Sequence, residues 1–238
     1  MEEVLLLPKI YLRIFVSPDA DISNDRINWD LYIARKILKI QTWFIRNEEQ
    51  GLKYFILPKN YNFNKIVCDL DGETEKELAN YDPGKQKFKG DGRIINVYYL
   101  GGDAAGACEA PGFSNNEATK GDFPILGSLY LSNNNTDSGK YLFSHELVHI
   151  LFSRLVTTNE EGGNVRYDIT QNDPTEANPV AHVTNVNNLM NETTPDPTPF
   201  LEATRQAIRQ GTPLPDIPQT LFTEKQREKA LESQFVFK

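Results

Sequence analysis

Period-two alternation marks the start of the chain. Residues 9–17 (KIYLRIFVS) alternate apolar and polar side chains and are rich in β-branched and aromatic types, which predicts a strand. Residues 28–46 change period: Leu31, Ile33, Ala34, Ile37, Leu38 and Trp43 recur near 3.6, which predicts an amphipathic helix. Lys53–Leu57 and Lys65–Leu70 read as strands, and 73–80 as a short surface helix. The apolar run 93–100 (RIINVYYL), bounded by Gly92 and Gly101, predicts an interior strand. A Gly/Ala/Asn-rich loop, 101–124, leads to a strand at Ile125–Ser132. Asn-rich 133–137 supplies cap residues for a helix over 138–155.

The remainder is more polar. Residues 157–181 predict a loop or small hairpin, and 199–210 a helix with Pro199 in its first turn and Gly211 as its stop. A Pro-rich linker, 211–219, precedes a charged helix at about 222–233. Strands alternating with helices give the fold class, a mixed α/β (α+β) sheet with helices packed against it.

Composition narrows the function classes. The 238 residues suffice for a core without disulfide staples. Hydrophobic residues at 39% and charged residues at 24% are ordinary globular values, which exclude a disordered or fibrous chain. A net charge of −8 without a basic stripe argues against nucleic acid, and no apolar run is long enough to span a bilayer. The start, MEEVLLLPKIYLR, has an acidic n-region and a short apolar core. The expectation is therefore cytoplasmic synthesis, with any export by a route that reads no N-terminal signal. Cys68 and Cys108 follow no metal spacing and are either one disulfide or two buried small hydrophobes. No EF-hand spacing supports a calcium site.

The chemistry sits in the 138–155 helix, which contains His145-Glu146-Leu147-Val148-His149, an HExxH. Residues i and i+4 share a helix face, so both imidazoles reach one cation, and Glu146 lies beside them as a base for water. The chain holds 3 histidines, two of them in this motif. His182 is the favoured third ligand; the alternatives are Glu160, Glu161 or Glu176, on a stretch broken by Gly162, Gly163, Pro174 and Pro179, or no third protein ligand.

These residues resemble the metzincin zinc peptidases, whose motif is HExxHxxGxxH followed by a Met-containing turn. His145 to His149 match its first half. His182-Val-Thr-Asn-Val-Asn-Asn-Leu-Met190 is similar to the stretch from third ligand to Met-turn. The likeness covers about residues 90–211. Two departures stand out: His149 and His182 are 33 positions apart where the family has six, and Phe152 replaces the glycine that ends the family's helix. Asn191 follows Met190, so the tyrosine that some relatives carry there is absent.

The resemblance implies a twisted mixed sheet with an active-site helix and a backing helix, and a smaller C-terminal part with Met-turn and helix. It implies one catalytic domain over 1–211, made of an N-terminal subdomain 1–152, an insertion 153–181 and a C-terminal subdomain 182–211. Residues 212–238 would be an appended linker and helix. One catalytic Zn2+ on His145, His149 and His182, Glu146 as general base, a Met190 floor and a peptide substrate along an edge strand at 127–132 complete the expectation. The partner is a peptide or protein, with a monomer favoured. The alternatives are an inactive binding scaffold on the same frame, an injected effector protease with one narrow target, and a zinc hydrolase acting on something other than peptides.

Overall fold

In the computed structural model, residues 7–22, 25–47, 51–68, 94–103, 107–112, 126–133, 141–159 and 165–238 are described, together with Thr74, Glu77 and Leu78. Strand β1 (Lys9–Val16) buries Ile10, Leu12 and Ile14 on one face, as the alternation predicts. Helix α1 (Arg26–Leu38) buries Leu31, Ile33, Ala34, Ile37 and Leu38. It ends eight residues before the predicted boundary at 46, because Lys39 turns left-handed (φ 53°) and its N–H bonds the Arg35 carbonyl. The chain then becomes strand β2 (Gln41–Phe44), where Thr42 is buried and Trp43 is 50% exposed. Trp43 thus belongs to a period of two, not 3.6. A β-branched residue followed by two aromatics favours strand once the helix has stopped.

Next come β3 (Phe55–Ile56), shorter than the predicted 53–57, and helix α2 (Phe63–Cys68). The latter replaces the expected strand at 65–70, helped by Asn62, whose side-chain Oδ1 accepts from the Asn64 N–H at 2.9 Å. Strand β4 (Ile94–Tyr99) is buried at all six positions. Strand β5 (Ala107–Gly112) lies inside the stretch read as loop, and β6 (Leu126–Leu131) follows. Helix α3 (Leu142–Phe152) runs into the hairpin β7 (Arg154–Asn159) and β8 (Val165–Thr170). Helices α4 (Thr198–Gln210) and α5 (Glu224–Leu231) close the chain, the former ending at Gly211 with φ 64° as its glycine predicts. No helix among the described residues is long and apolar enough to cross a membrane.

The chain forms two compact units: residues 1–9, 25–42 and 135–238, and residues 10–24 and 43–134. The second carries a mixed sheet with strand order β2-β1-β4-β6-β5 and β3 added on β1. Strands β1, β4 and β6 are parallel, in the register Phe15↔Tyr98↔Tyr130. That register stacks three rings: Phe15 on Tyr98 at 4.8 Å and Tyr98 on Tyr130 at 5.0 Å between centroids. Tyr98 anchors the stack through its hydroxyl, which donates to the Leu78 carbonyl at 3.2 Å, and burial raises its pKa. Each such pair contributes about 0.5–1.5 kcal/mol beyond the area it buries. Strand β6 is not an edge: β5 pairs antiparallel along it from Ala107↔Leu131 to Gly112↔Leu126. This corrects the expected substrate strand at 127–132. A glycine-rich stretch such as 101–124 carries little periodicity, so the edge strand inside it was illegible.

In the first unit, α1 and α5 each pack on α3. Phe222, just before α5, stacks on Phe152 at 6.3 Å, and Arg154 Nη2 donates to the Lys229 carbonyl at 2.7 Å. The last residues join this core, with Phe235 buried and Phe237 exchanging backbone bonds with Lys9 at 2.8 and 2.9 Å. Residues 220–238, read as part of an appendage, are built into the unit. The predicted surface helix at 73–80, the cap residues 134–137, and Glu160, Glu161, Gly162 and Gly163 lie wholly or largely outside the described residues. So do the side chains of Cys68 and Cys108.

A candidate metal centre

Helix α3 holds two of the three histidines. All residues from Phe143 to Phe152 are buried, His145 at 4%, Glu146 at 6% and His149 at 3% exposure. A helix buried on every side holds its side chains by packing, and the one-turn spacing of 145 and 149 puts both rings on one face. The helix ends at Ser153, whose φ of −58° and ψ of 129° are extended rather than left-handed. Glycine is therefore not required there, which accounts for Phe152. Ser153 also caps the end, its Oγ donating to the His149 carbonyl at 2.9 Å.

The long interval to His182 closes on itself twice. Hairpin β7–β8 pairs Arg154 with Thr170, and Gln171 Nε2 donates to Ser153 Oγ at 3.3 Å, so the chain returns to the point where the helix ended. The Asp173 N–H then bonds the Val180 carbonyl at 2.7 Å, which closes a second loop. Much of the 33-residue separation is excursion, and His182 arrives beside α3.

There His149 Nε2 lies 3.0 Å from His145 Nε2 and 3.1 Å from His182 Nε2. The three ligand nitrogens all fall within 4.8 Å of one another, with His145 and His149 buried and His182 exposed. Nitrogens about 2.0–2.1 Å from one tetrahedral zinc lie roughly 3.3 Å apart, close to the two short separations here. The tautomer of His145 agrees. Its Nδ1 is 2.7 Å from the Leu189 carbonyl, which only accepts, so Nδ1 carries the proton and Nε2 presents a lone pair to the cluster. Burial, with a smaller contribution from the adjacent His145 and His182 rings that disfavours a further proton, pushes the His149 pKa down to about 3, so this imidazole is neutral, as a ligand must be. Among the described residues, His149 Nδ1 is buried and has no hydrogen-bond partner.

The segment after His182 forms a closed turn. The Val183 N–H donates to the Met190 carbonyl at 2.9 Å and Asn191 Nδ2 to the Val183 carbonyl at 2.8 Å. Met190 is fully buried, and its N–H donates to Asn188 Oδ1 at 3.0 Å. The predicted residues His145, His149 and His182 are thus brought together, with Glu146 on the same helix. Glu176 is not in the cluster, and its Oε1 accepts from the Thr184 N–H at 3.3 Å.

Compared with protein-family models, curated proteins and solved structures, the chain matches none.

Sequence reasoning missed four contributors: Asp173, Asn188, the Leu189 carbonyl and Gln226. Asn188 and Gln226 pair their side-chain amides reciprocally, at 3.1 and 3.0 Å, and Gln226 Nε2 also donates to Asp173 Oδ2 at 2.6 Å. The one legible signal was Thr223-x-x-Gln226, a capping box that the structure contains, but it says nothing of Asn188.

Proposed function

We propose that the protein is a zinc-dependent peptidase. The observation that carries the metal is the convergence of three imidazole nitrogens, with the His145 tautomer set to offer Nε2. Among the described residues no fourth His, Cys, Asp or Glu joins the group, and His182 is exposed. Structural zinc sites close with four protein ligands, whereas catalytic ones keep three and leave a position open. Peptide as substrate rests on the resemblance of 182–190 to a third ligand and Met-turn, supported by buried Met190 on the closed turn.

A zinc ion on His145, His149 and His182 would supply Lewis acidity, polarising a carbonyl and acidifying water. The chain's own residues do the rest. Glu146 accepts the proton of the attacking water as oxygen bonds to the carbonyl carbon, and returns it to the amine as the C–N bond breaks. The His145–Leu189 bond holds the ring against rotation while this happens.

The test is cleavage of a proteome-derived peptide library, wild type beside Glu146→Ala, with zinc content measured in both. The expected result is cuts in the wild type alone, turnover lower by about 10²–10⁴-fold in the variant, and unchanged zinc. Zinc lost together with activity would remove the role given to Glu146. Zinc without cleavage of peptide, ester or phosphodiester substrates would leave the scaffold reading.

A further inference from the structure

A network of buried polar side chains links the C-terminal helix to the turn beside the histidine cluster. Gln226 is fully buried, Asp173 is 2% exposed and Asn188 3%, and they come from α5, the segment after β8, and the turn after His182. Three buried polar groups from separate segments meet only if their hydrogen bonds are complete, and here they are. Asp173 Oδ1 accepts from the Thr175 N–H at 2.8 Å and its hydroxyl at 2.5 Å, while Oδ2 takes Gln226 Nε2. Gln226 Oε1 accepts from the Thr223 N–H at 2.9 Å, from the Thr223 hydroxyl at 3.1 Å and from Asn188 Nδ2.

Asn188 passes this constraint to the site. Its Oδ1 holds the Met190 N–H, and the intervening Leu189 N–H donates to the Leu221 carbonyl at 2.7 Å. The peptide that presents the Leu189 carbonyl is therefore fixed on both sides. That carbonyl sets the His145 tautomer, and the Met190 carbonyl holds Val183, the neighbour of His182. One glutamine thus reaches a ligand on α3 and the backbone beside the ligand on the turn.

We propose that Gln226 is a positioning residue for the metal centre, acting through Asn188 and the Leu189 carbonyl, so that helix α5 is needed for metal affinity and not only for stability. The inference rests on the zinc reading for one of its two measurements. In the first, zinc affinity of the full chain is measured for wild type, Gln226→Ala, Asn188→Asp and Ala230→Gly. Asn188→Asp keeps the acceptor for Met190 and loses the donor to Gln226 Oε1, and covers the case in which Gln226→Ala does not fold. Ala230→Gly weakens α5 through helix propensity and leaves every side-chain hydrogen bond of Gln226 and Asn188 in place. Expected is a loss of about 10–100-fold in zinc affinity for Gln226→Ala and Asn188→Asp, as for other outer partners of metal ligands, and none for Ala230→Gly.

The second measurement uses no metal. Nitrogen-15 NMR of the chelated chain reads the His145 ring, with Nδ1 protonated in the wild type and the tautomer mixed in Gln226→Ala and Asn188→Asp. A wild type that binds no zinc overturns the metal reading, and the tautomer still decides the positioning role. Folded variants that lose thermal stability but keep both zinc affinity and the His145 tautomer would overturn the proposal.

Discussion

The two units of this chain are fastened by different physics. The sheet unit is held by apolar burial in register, with Phe15, Tyr98 and Tyr130 stacked across β1, β4 and β6. Around the histidines of the other unit, buried amides, a carboxyl and a carbonyl are matched one to one. Apolar contacts are additive and forgiving of direction, so losing one costs area. A buried polar group left without its partner bears its whole desolvation penalty, about 1–3 kcal/mol, and misplaces whatever it was holding. One region fills the middle of a sheet, and the other fixes the turn beside three converging imidazoles.

The largest expected effect is on the sheet side. Tyr98→Ala opens a cavity in the middle of the stack and should destabilise by about 3–5 kcal/mol, measured by urea unfolding. A loss under half of that would mean that the surrounding side chains collapse into the space and the stack is not rigidly packed. The polar side is then tested by acid. In the metal-free chain the His149 pKa lies at about 3 against an ordinary 6.5. Between those values the unfolded chain binds a proton that the folded chain refuses, so stability present above pH 6.5 is lost as the pH falls toward 3. The urea midpoint of chelated protein at pH 7, 5.5 and 4.5 should fall, and less steeply in His149→Asn. A flat midpoint would contradict a buried neutral imidazole.

Smaller effects sharpen the contrast. Thr223→Ala removes the cap of α5 and should cost about 1 kcal/mol in the same measurement. Ile208→Ala is the baseline: the side chain is 61% exposed on α4 and takes part in neither device, so the change should stay within about 0.5 kcal/mol. A larger loss there would reveal a packing partner that the exposure does not suggest.

Legibility in the sequence followed this division. The strands at 9–16 and 94–99 were readable because burial writes itself as alternation or as a continuous apolar run. The helix ends at Lys39 and Ser153 were not, since one depends on a left-handed non-glycine residue and the other on a direct passage into β7. The strand predicted at 65–70 became α2 because short apolar runs carry no period of their own. Of the histidine cluster, His145 and His149 were legible from one helical turn, and His182 from scarcity of histidine. Asp173, Asn188 and Gln226 were not, being 15 and 38 positions apart in a chain full of similar polar residues.

The sequence by itself determined the mixed α/β class, the apolar strands and the helix that carries two imidazoles, because those depend on patterns repeating within a few residues. Tertiary structure alone decided that β6 is paired on both sides, by β4 and β5, that a hairpin and a closed loop return the chain to bring His182 beside α3, and that α5 is hydrogen-bonded to the turn behind the histidines. Each of those outcomes turns on hydrogen bonds between groups far apart in sequence, and the geometry of such bonds exists only once the chain has folded.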